Sequence, residues 1–345
     1  MNPLIWLTLV ISLTASTIIT MSSNHWLMAW LGLELNTLSI LPIIMKSHHP
    51  RAAEATTKYF LIQASAATMI LLASTTAAWQ TGSWSITHPS PTATLLITMA
   101  IMLKLGAAPA HLWYPQVLQG TTMNTALVIS TWQKIAPLTL LYMMHNHLDH
   151  TTMLTIGIAS AMVGGWAGLN QTQTRTIMAY SSIAHVGWLI AAMTINPHLT
   201  TLTMMVYVLT TMAAFLPLAT TATKTITDIG TTWPLSPPTL TMTMVALMSL
   251  GGLPPMGGFM PKWLILKELS ATGLTALSTA LLMATLPSLF FYIRLTHLAM
   301  LTTPPTTTTT EHKWRFKPSQ PTYTAPMIMT TTLLLPMTTA LHNST

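Results

Sequence analysis

The 345-residue chain has no cysteine, and only 6% of its residues are charged. The first absence excludes disulfides, thiolate metal sites, iron-sulfur clusters and thiol catalysis on this chain. Any redox centre must lie elsewhere or hang on histidines. The second absence excludes an ordinary soluble domain, in which about 25% of residues are charged. Six acidic side chains cannot solvate a surface of this size. Met1 runs into an apolar segment with no basic n-region and no small-residue cleavage site, so that segment reads as a retained helix rather than a cleaved signal. The composition that remains is 51% hydrophobic with 27 methionines, most simply core filler. It describes an all-α integral membrane protein. The net charge of +7 does not point to nucleic acid, because the cations are scattered through apolar sequence or lie in short loops.

Windows of about 20 apolar residues predict eleven spans, near 3–21, 25–45, 56–79, 93–116, 122–144, 151–170, 176–195, 200–222, 239–270, 273–296 and 324–342. Eleven crossings place the termini on opposite sides, and the loops can then be sorted by charge. One side holds Lys46, Arg51, Lys58, Arg175, Lys224, Arg294, Lys313, Arg315 and Lys317; the other holds essentially Lys267. The positive-inside bias puts Met1 on the inner side and the C-terminus outside. Residues 299–323 include the one low-complexity piece, TTPPTTTTTEHKWRFKPSQP, which reads as a solvated inner-side loop before a C-terminal helix in 324–345.

Two spans are interrupted. In LLITMAIMLKLGAAPAHLWYP, Lys104 lies at the middle of an apolar run and Pro109 five residues later removes a backbone donor. In SLGGLPPMGGFMPKW, glycines and paired prolines break the helix, with Lys262 just beyond. The interrupted spans are five crossings apart and so run in opposite directions. That arrangement predicts an inverted repeat, residues 1–146 against 147–298, with ion sites at the breaks.

Depth at about 1.5 Å per residue places Glu34, Lys104 and Lys134 near the middle of their spans. A charged side chain there costs about 2.5 to 3.5 kcal/mol on the insertion scale. Such groups must therefore face the bundle interior. A carboxylate approaching or withdrawing can switch a buried amine between its charged and neutral forms, so the row can carry protons. The plainer alternative is a structural ion pair between Glu34 and one lysine, with another lysine snorkelling. His111, within the first break, and His185, in AYSSIAHVGW, are candidate relays or hydrogen-bonded packing histidines. No histidine pair suits haem, and Trp6, Trp26, Trp30, Trp79, Trp84 and Trp113 read mostly as interface anchors or packing.

At these residues the chain resembles the antiporter-like membrane-arm subunits of proton-pumping NADH:quinone oxidoreductase, respiratory complex I, in their mitochondrially encoded vertebrate form. The matching stretches run almost end to end: WLGLELN, HPRAAEATTKYFLIQASAA, MLKLGAAPAHLWYP, STWQKIAPL, GGWAGLNQTQTR, IMAYSSIAHVGW and LMSLGGLPPMGGFMPKW. The resemblance implies eleven helices in two inverted five-helix repeats plus a C-terminal helix, in the mitochondrial inner membrane with the N-terminus on the matrix side. It implies that Glu34 pairs with Lys104, that Lys134 is central, that Lys262 leads onward, and that His111 and His185 occupy relay positions. It also implies other membrane-arm and accessory subunits and lipids as partners, coupling to quinone reduction at a distance, and a chain that carries no cofactor because flavin and iron-sulfur clusters sit in other subunits. Gln116 stands where the family usually has an acid, Thr176 where a basic residue often follows Arg175, and Ala110 where an aromatic is usual. These departures change side charges and packing and leave the row intact. An Mrp-like cation/proton antiporter subunit and a structural spacer subunit are the alternative readings, since one fold serves several functions.

Overall fold

Serine and threonine interrupt nearly every apolar run, and their hydroxyls are satisfied within their own helices. Ser16 donates to the Leu13 carbonyl at 2.9 Å, Ser181 to Met178 at 2.7 Å and Thr211 to Tyr207 at 2.7 Å. Bonding back to the preceding turn leaves no orphan donor, so these residues are compatible with a lipid-facing or buried helix. The computed structural model describes residues 2–87, 89–230, 232, 236–300 and 324–333. Among these the structure is helical apart from turns, short 3-10 segments and two isolated bridges.

The chain divides into two compact units, Met1–Ile156 and Gly157–Thr345. The first contains α1 (Pro3–Ser22), α2 (Trp26–Ile44), α3 (Pro50–Thr81), α4 (Pro91–Leu105), α5 (Trp113–Gly120), α6 (Met123–Ser130) and α7 (Ile135–Met143). Within it, α1 packs on α2, α2 on α3, and α3 on both α4 and α5. Helix α8 (His150–Gly168) leads out of it. The second contains α9 (Thr174–Ile195), α10 (Pro197–Thr220), the short α11 (Ile226–Gly230), α12 (Pro237–Gly251), α13 (Phe259–Ala271), α14 (Thr275–Met300) and α15 (Thr324–Leu333). Here α10 packs on α9, α12 and α15, and α14 on α12 and α13.

Among the described residues, six helices (α1, α2, α3, α9, α10 and α14) are long and apolar enough to cross a bilayer, by length and composition. Helix α3 is longer than the sequence reading allows. Its 32 residues extend about 48 Å, past a hydrocarbon core of about 30 Å. Arg51, Glu54 and Lys58 therefore lie on the projecting turns of this helix rather than in a loop, and Lys58 pairs with Glu54 at 2.6 Å. His49 Nδ1 caps the helix by accepting from the Arg51 amide. The expected inner-side loop, with Lys313, Arg315 and Lys317, lies outside the described residues, as does the predicted span beyond Leu333.

Both expected breaks are present, and both end in the same backbone motif. At the first, Gly106 adopts φ +70°; its amide donates to Leu103 and that of Ala107 donates to Met102. At the second, Gly252 adopts φ +78°; its amide donates to Ser249 and that of Leu253 donates to Met248. These are Schellman endings, which need a left-handed residue and so favour glycine. The chain then turns, through a cis Ala108–Pro109 bond in the first case, and re-enters a helix.

A third interruption was not predicted. The span near 122–144, expected to be continuous, is split into α6, a 3-10 turn over Trp132–Lys134, and α7. Pro137 explains it. Proline lacks the amide that would bond to the Gln133 carbonyl, and its ring clashes with that carbonyl. Lys134 therefore sits on a tightened turn rather than on a regular helix.

The ends of the helices are also tied in matching ways. Trp26 donates to the Trp84 carbonyl and Ile86 to Asn24, at 3.0 and 3.1 Å, while Thr174 donates to Lys224 and Ile226 to Thr172, both at 3.1 Å. In each unit this joins the start of one helix to the segment after the next helix. In the second unit Asp228 reinforces the joint by accepting the amides of Lys224 and Thr225, at 3.0 and 2.8 Å. Partial burial alone would raise this carboxyl, but those amides and the nearby Lys224 charge hold it below the usual carboxylate range.

Candidate proton-translocation site

The first unit holds three of the charged residues singled out by sequence, and two of them, the lysines, share a cavity. Glu34 lies on α2, Lys104 in the last turn of α4 and Lys134 on the turn before α7. Lys104 and Lys134 are only 6% and 3% exposed, so neither amine reaches the surface of the chain. Both line one cavity of about 20 Å³, together with Asn36, Tyr59, Gln63 and Gln133. That is room for about one water molecule. The Glu34 charge acts on Lys104, yet the two make no ion pair. Lys104 Nζ and Glu34 Oε2 are both buried without a hydrogen-bond partner in the chain.

The break builds the rest of the cavity wall. Because Gly106 has no Cβ, the Tyr114 side chain can close against it; a Cβ there would lie 3.2 Å from Tyr114 Cβ. Tyr114 in turn presents its ring 5.2 Å from Lys134 Nζ, within the range of a cation–π contact. Lys104 also occupies the C-terminal turn of α4, where the helix dipole favours a cation. His111 lies on the turn after the cis proline, with Nδ1 3.1 Å from the Pro109 carbonyl; it does not line the cavity.

The second unit holds Lys262 and His185. Lys262, 9% exposed, extends from α13 back to the last carbonyl of α12 and donates to Gly251 at 2.9 Å. It thereby satisfies one of the carbonyls that a helix end leaves unpaired. A second cavity of about 20 Å³ joins Lys262 to His185, Thr203, Tyr207 and Thr210. The His185 ring lies 5.4 Å from that of Tyr207. Gly252 makes room for the lysine, since a Cβ there would lie 2.9 Å from its Nζ. Gly252→Ala is expected to cost about 1 to 2 kcal/mol for the left-handed backbone and to displace Lys262 from Gly251. The consequence is a lower melting midpoint of the solubilised protein, with Gly82→Ala as the comparison, because Gly82 is also left-handed but a Cβ there meets nothing within 4 Å.

Sequence reasoning missed Asn36, Tyr59, Gln63 and Gln133. Their signal was present: Asn36 follows Glu34 by two residues, Gln133 immediately precedes Lys134, and Tyr59 and Gln63 are one turn apart in an apolar run. It also missed the likeness of the two breaks. At an offset of 146 residues, Gly106, Pro109, Pro115 and Leu118 match Gly252, Pro255, Pro261 and Leu264, and Gln116 falls opposite Lys262. The two lysines near the breaks are therefore not equivalent: Lys104 precedes its glycine and Lys262 follows its own. Among the tryptophans, Trp79 is 92% exposed on the chain, Trp26 is fully buried, and Trp113 lines the first cavity.

Residues 23–306 match the family model for the transmembrane part of NADH:quinone oxidoreductase and Mrp antiporters, and residues 289–342 match that for the C-terminus of NADH dehydrogenase subunit 2. The chain is 49% identical over 343 residues to NADH-ubiquinone oxidoreductase chain 2 of Carassius auratus, covering 99% of both. Its fold superimposes with a TM-score of 0.85 and 26% identity on a chain of respiratory complex I from Thermus thermophilus, covering 96% of this chain and 77% of that one. A chain of the Mrp complex from Dietzia shares the fold, with a TM-score of 0.81 at 14% identity, covering 97% of this chain and 76% of that one. By its full-length identity to these relatives, the chain belongs to the NADH-ubiquinone oxidoreductase chain 2 family.

Proposed function

We propose that the chain is a membrane-arm subunit of proton-pumping NADH:ubiquinone oxidoreductase in the mitochondrial inner membrane, and that Glu34, Lys104, Lys134 and Lys262 carry the protons. Family membership supports the assignment to this enzyme. The observation that carries the proton role is the pairing of two buried lysines on one small polar cavity, with the charge of the half-buried Glu34 reaching Lys104 and no hydrogen bond between that carboxylate and that amine. A purely structural ion pair gains most by direct hydrogen-bonded contact. A gap is suited to transfer through an intervening hydroxyl or water, in which one amine gives up a proton as the next takes one.

Counting each interrupted pair once, we read α1, α2, α3, α4–α5, α6–α7, α8, α9, α10, α12–α13 and α14 as ten crossings and assign α15 to an eleventh; six of these helices are by themselves long and apolar enough to cross a bilayer. In this reading they form two inverted five-helix repeats and a final helix, with the N-terminus on the matrix side and the C-terminus in the intermembrane space. The matching Schellman endings and matching end-ties support a repeat. His111 and His185 serve as candidate relays. The chain holds no cofactor, and its partners are the neighbouring membrane-arm and accessory subunits and lipids.

Glu34→Gln removes the charge that acts on Lys104 and keeps the shape of the side chain. In the assembled complex it should lower NADH-driven proton translocation several-fold, measured by quenching of a pH-sensitive dye in vesicles. Pumping equal to wild type would favour the spacer reading, whereas sodium or potassium transport by the chain reconstituted alone would favour the antiporter.

A further inference from the structure

Three carboxamides accompany the three charges of the first unit, and they are joined to one another or to the charged residues through bonds between distant helices. Gln133 donates from Nε2 to Asn36 Oδ1 at 3.2 Å and accepts at Oε1 from the Tyr59 hydroxyl at 3.3 Å. Gln63 donates to the backbone carbonyl of Lys104 at 3.3 Å. Asn36 and Tyr59 are each 2% exposed, so these bonds form where water competes poorly. Gln133 thus ties α2, two residues beyond Glu34, and α3 to the 3-10 turn that carries Lys134.

We propose that Gln133 is a positioning residue that passes displacements of the Glu34 helix to Lys134. The physical basis is local. Pro137 has already removed the helical bond that would hold the Gln133 carbonyl, so the turn keeps its short 3-10 bonds, from Lys134 to Thr131 and from Ile135 to Trp132, and the Gln133 side chain adds the ties to α2 and α3. A helix turn fixed from outside follows the groups that fix it. When Glu34 gains or loses its proton and α2 adjusts, Asn36 moves with it, and the Gln133 amide carries that movement to the adjacent residue. Lys134 then shifts relative to the Tyr114 ring, its contact across the cavity. Gln133 itself takes up no proton.

The inference rests on the proton role proposed for Lys134, and the test separates the two. Gln133→Leu removes both bonds at similar bulk, Tyr59→Phe removes one hydroxyl, and Lys134→Met removes the amine. Each is measured in the assembled complex as protons translocated per NADH oxidised, across pH 6 to 9. Gln133→Leu should lower the ratio at least twofold and move the midpoint of its pH profile by half a unit or more. Tyr59→Phe should move the midpoint the same way by less. If Lys134→Met abolishes pumping while both other variants keep the wild-type ratio and midpoint, the positioning role is overturned and the proton role stands. If Lys134→Met pumps normally, the proton role itself fails, and the positioning role with it. Should Gln133→Leu not assemble, Tyr59→Phe alone decides: an unmoved midpoint overturns the proposal and a moved one supports it.

Discussion

Complexes carrying Lys134→Met are expected to lose at least about nine-tenths of NADH-driven proton translocation, a barrier increase of about 1.4 kcal/mol or more. The reason lies in where the amine sits. Lys134 is 3% exposed, lines the same cavity as Lys104, and rests against Tyr114 on a turn that Pro137 has tightened. Methionine fills similar space, so packing should survive while the one group able to take a proton at this point is gone. Lys134→Arg separates proton transfer from charge pairing. Arginine keeps the positive charge and the ring contact but stays protonated at all working pH values. A structural role would be rescued by arginine; a proton-cycling role would not, and both variants should fail alike. NADH oxidation by a water-soluble acceptor that bypasses quinone should be unchanged and serves as the control for assembly.

Lys262→Met should have the second largest effect, and it should be a compound one. The amine donates to the Gly251 carbonyl at the end of α12, so its removal leaves a carbonyl unpaired beside the break as well as removing a charge. A hydrogen bond from a charged group contributes about 1.5 to 3 kcal/mol. The amount of assembled complex, read on a native gel, should therefore fall along with pumping per complex. Lys262→Arg keeps a donor and a charge and should restore assembly without restoring pumping. In Lys134→Met, by contrast, the amine lost faces the Tyr114 ring across a polar cavity rather than the end of a broken helix, so assembly should fall less. The contrast between the two variants follows directly from the different places of the two lysines.

The charges and the breaks could be read in the sequence because both are local signals. Lys104 and Lys262 stand out in apolar runs, and Gly106, Pro109 and the GGLPPMGG stretch announce that the helix cannot continue. Helix identity was similarly legible, and the serine and threonine hydroxyls did behave as backbone-bonded groups. The polar framework was not legible, because its partners are remote in the chain. Gln133 meets Asn36 across 97 residues, Tyr59 across 74, and Gln63 meets Lys104 across 41. Nothing in a hydropathy window links such positions. The split at Pro137 was missed for another reason. A proline near the end of an apolar run is compatible with a mild kink, and the local sequence did not indicate that the preceding turn would tighten under Lys134.

The difference between the two lysines by the breaks was visible only on alignment of the halves. Once Gly106 is set against Gly252, Lys262 falls on Gln116, which is exposed, and Lys104 falls on Leu250, which is buried. Similar breaks therefore serve different electrostatic arrangements: one places a lysine in the terminal turn of the first half-helix, the other brings a lysine back from the second half-helix to cap the first. This distinction predicts that removing the Lys262 amine leaves a helix-end carbonyl unpaired, whereas removing the Lys104 amine, which makes no such bond, does not.

The most direct test is an experimental map of the intact complex sharp enough to place ordered waters around Glu34, Lys104 and Lys134. A polar thread is predicted, in which water or hydroxyl oxygens within hydrogen-bonding reach join the carboxylate to the first amine and the first amine to the second. Finding those side chains separated by dry apolar packing, or turned toward lipid, would contradict it.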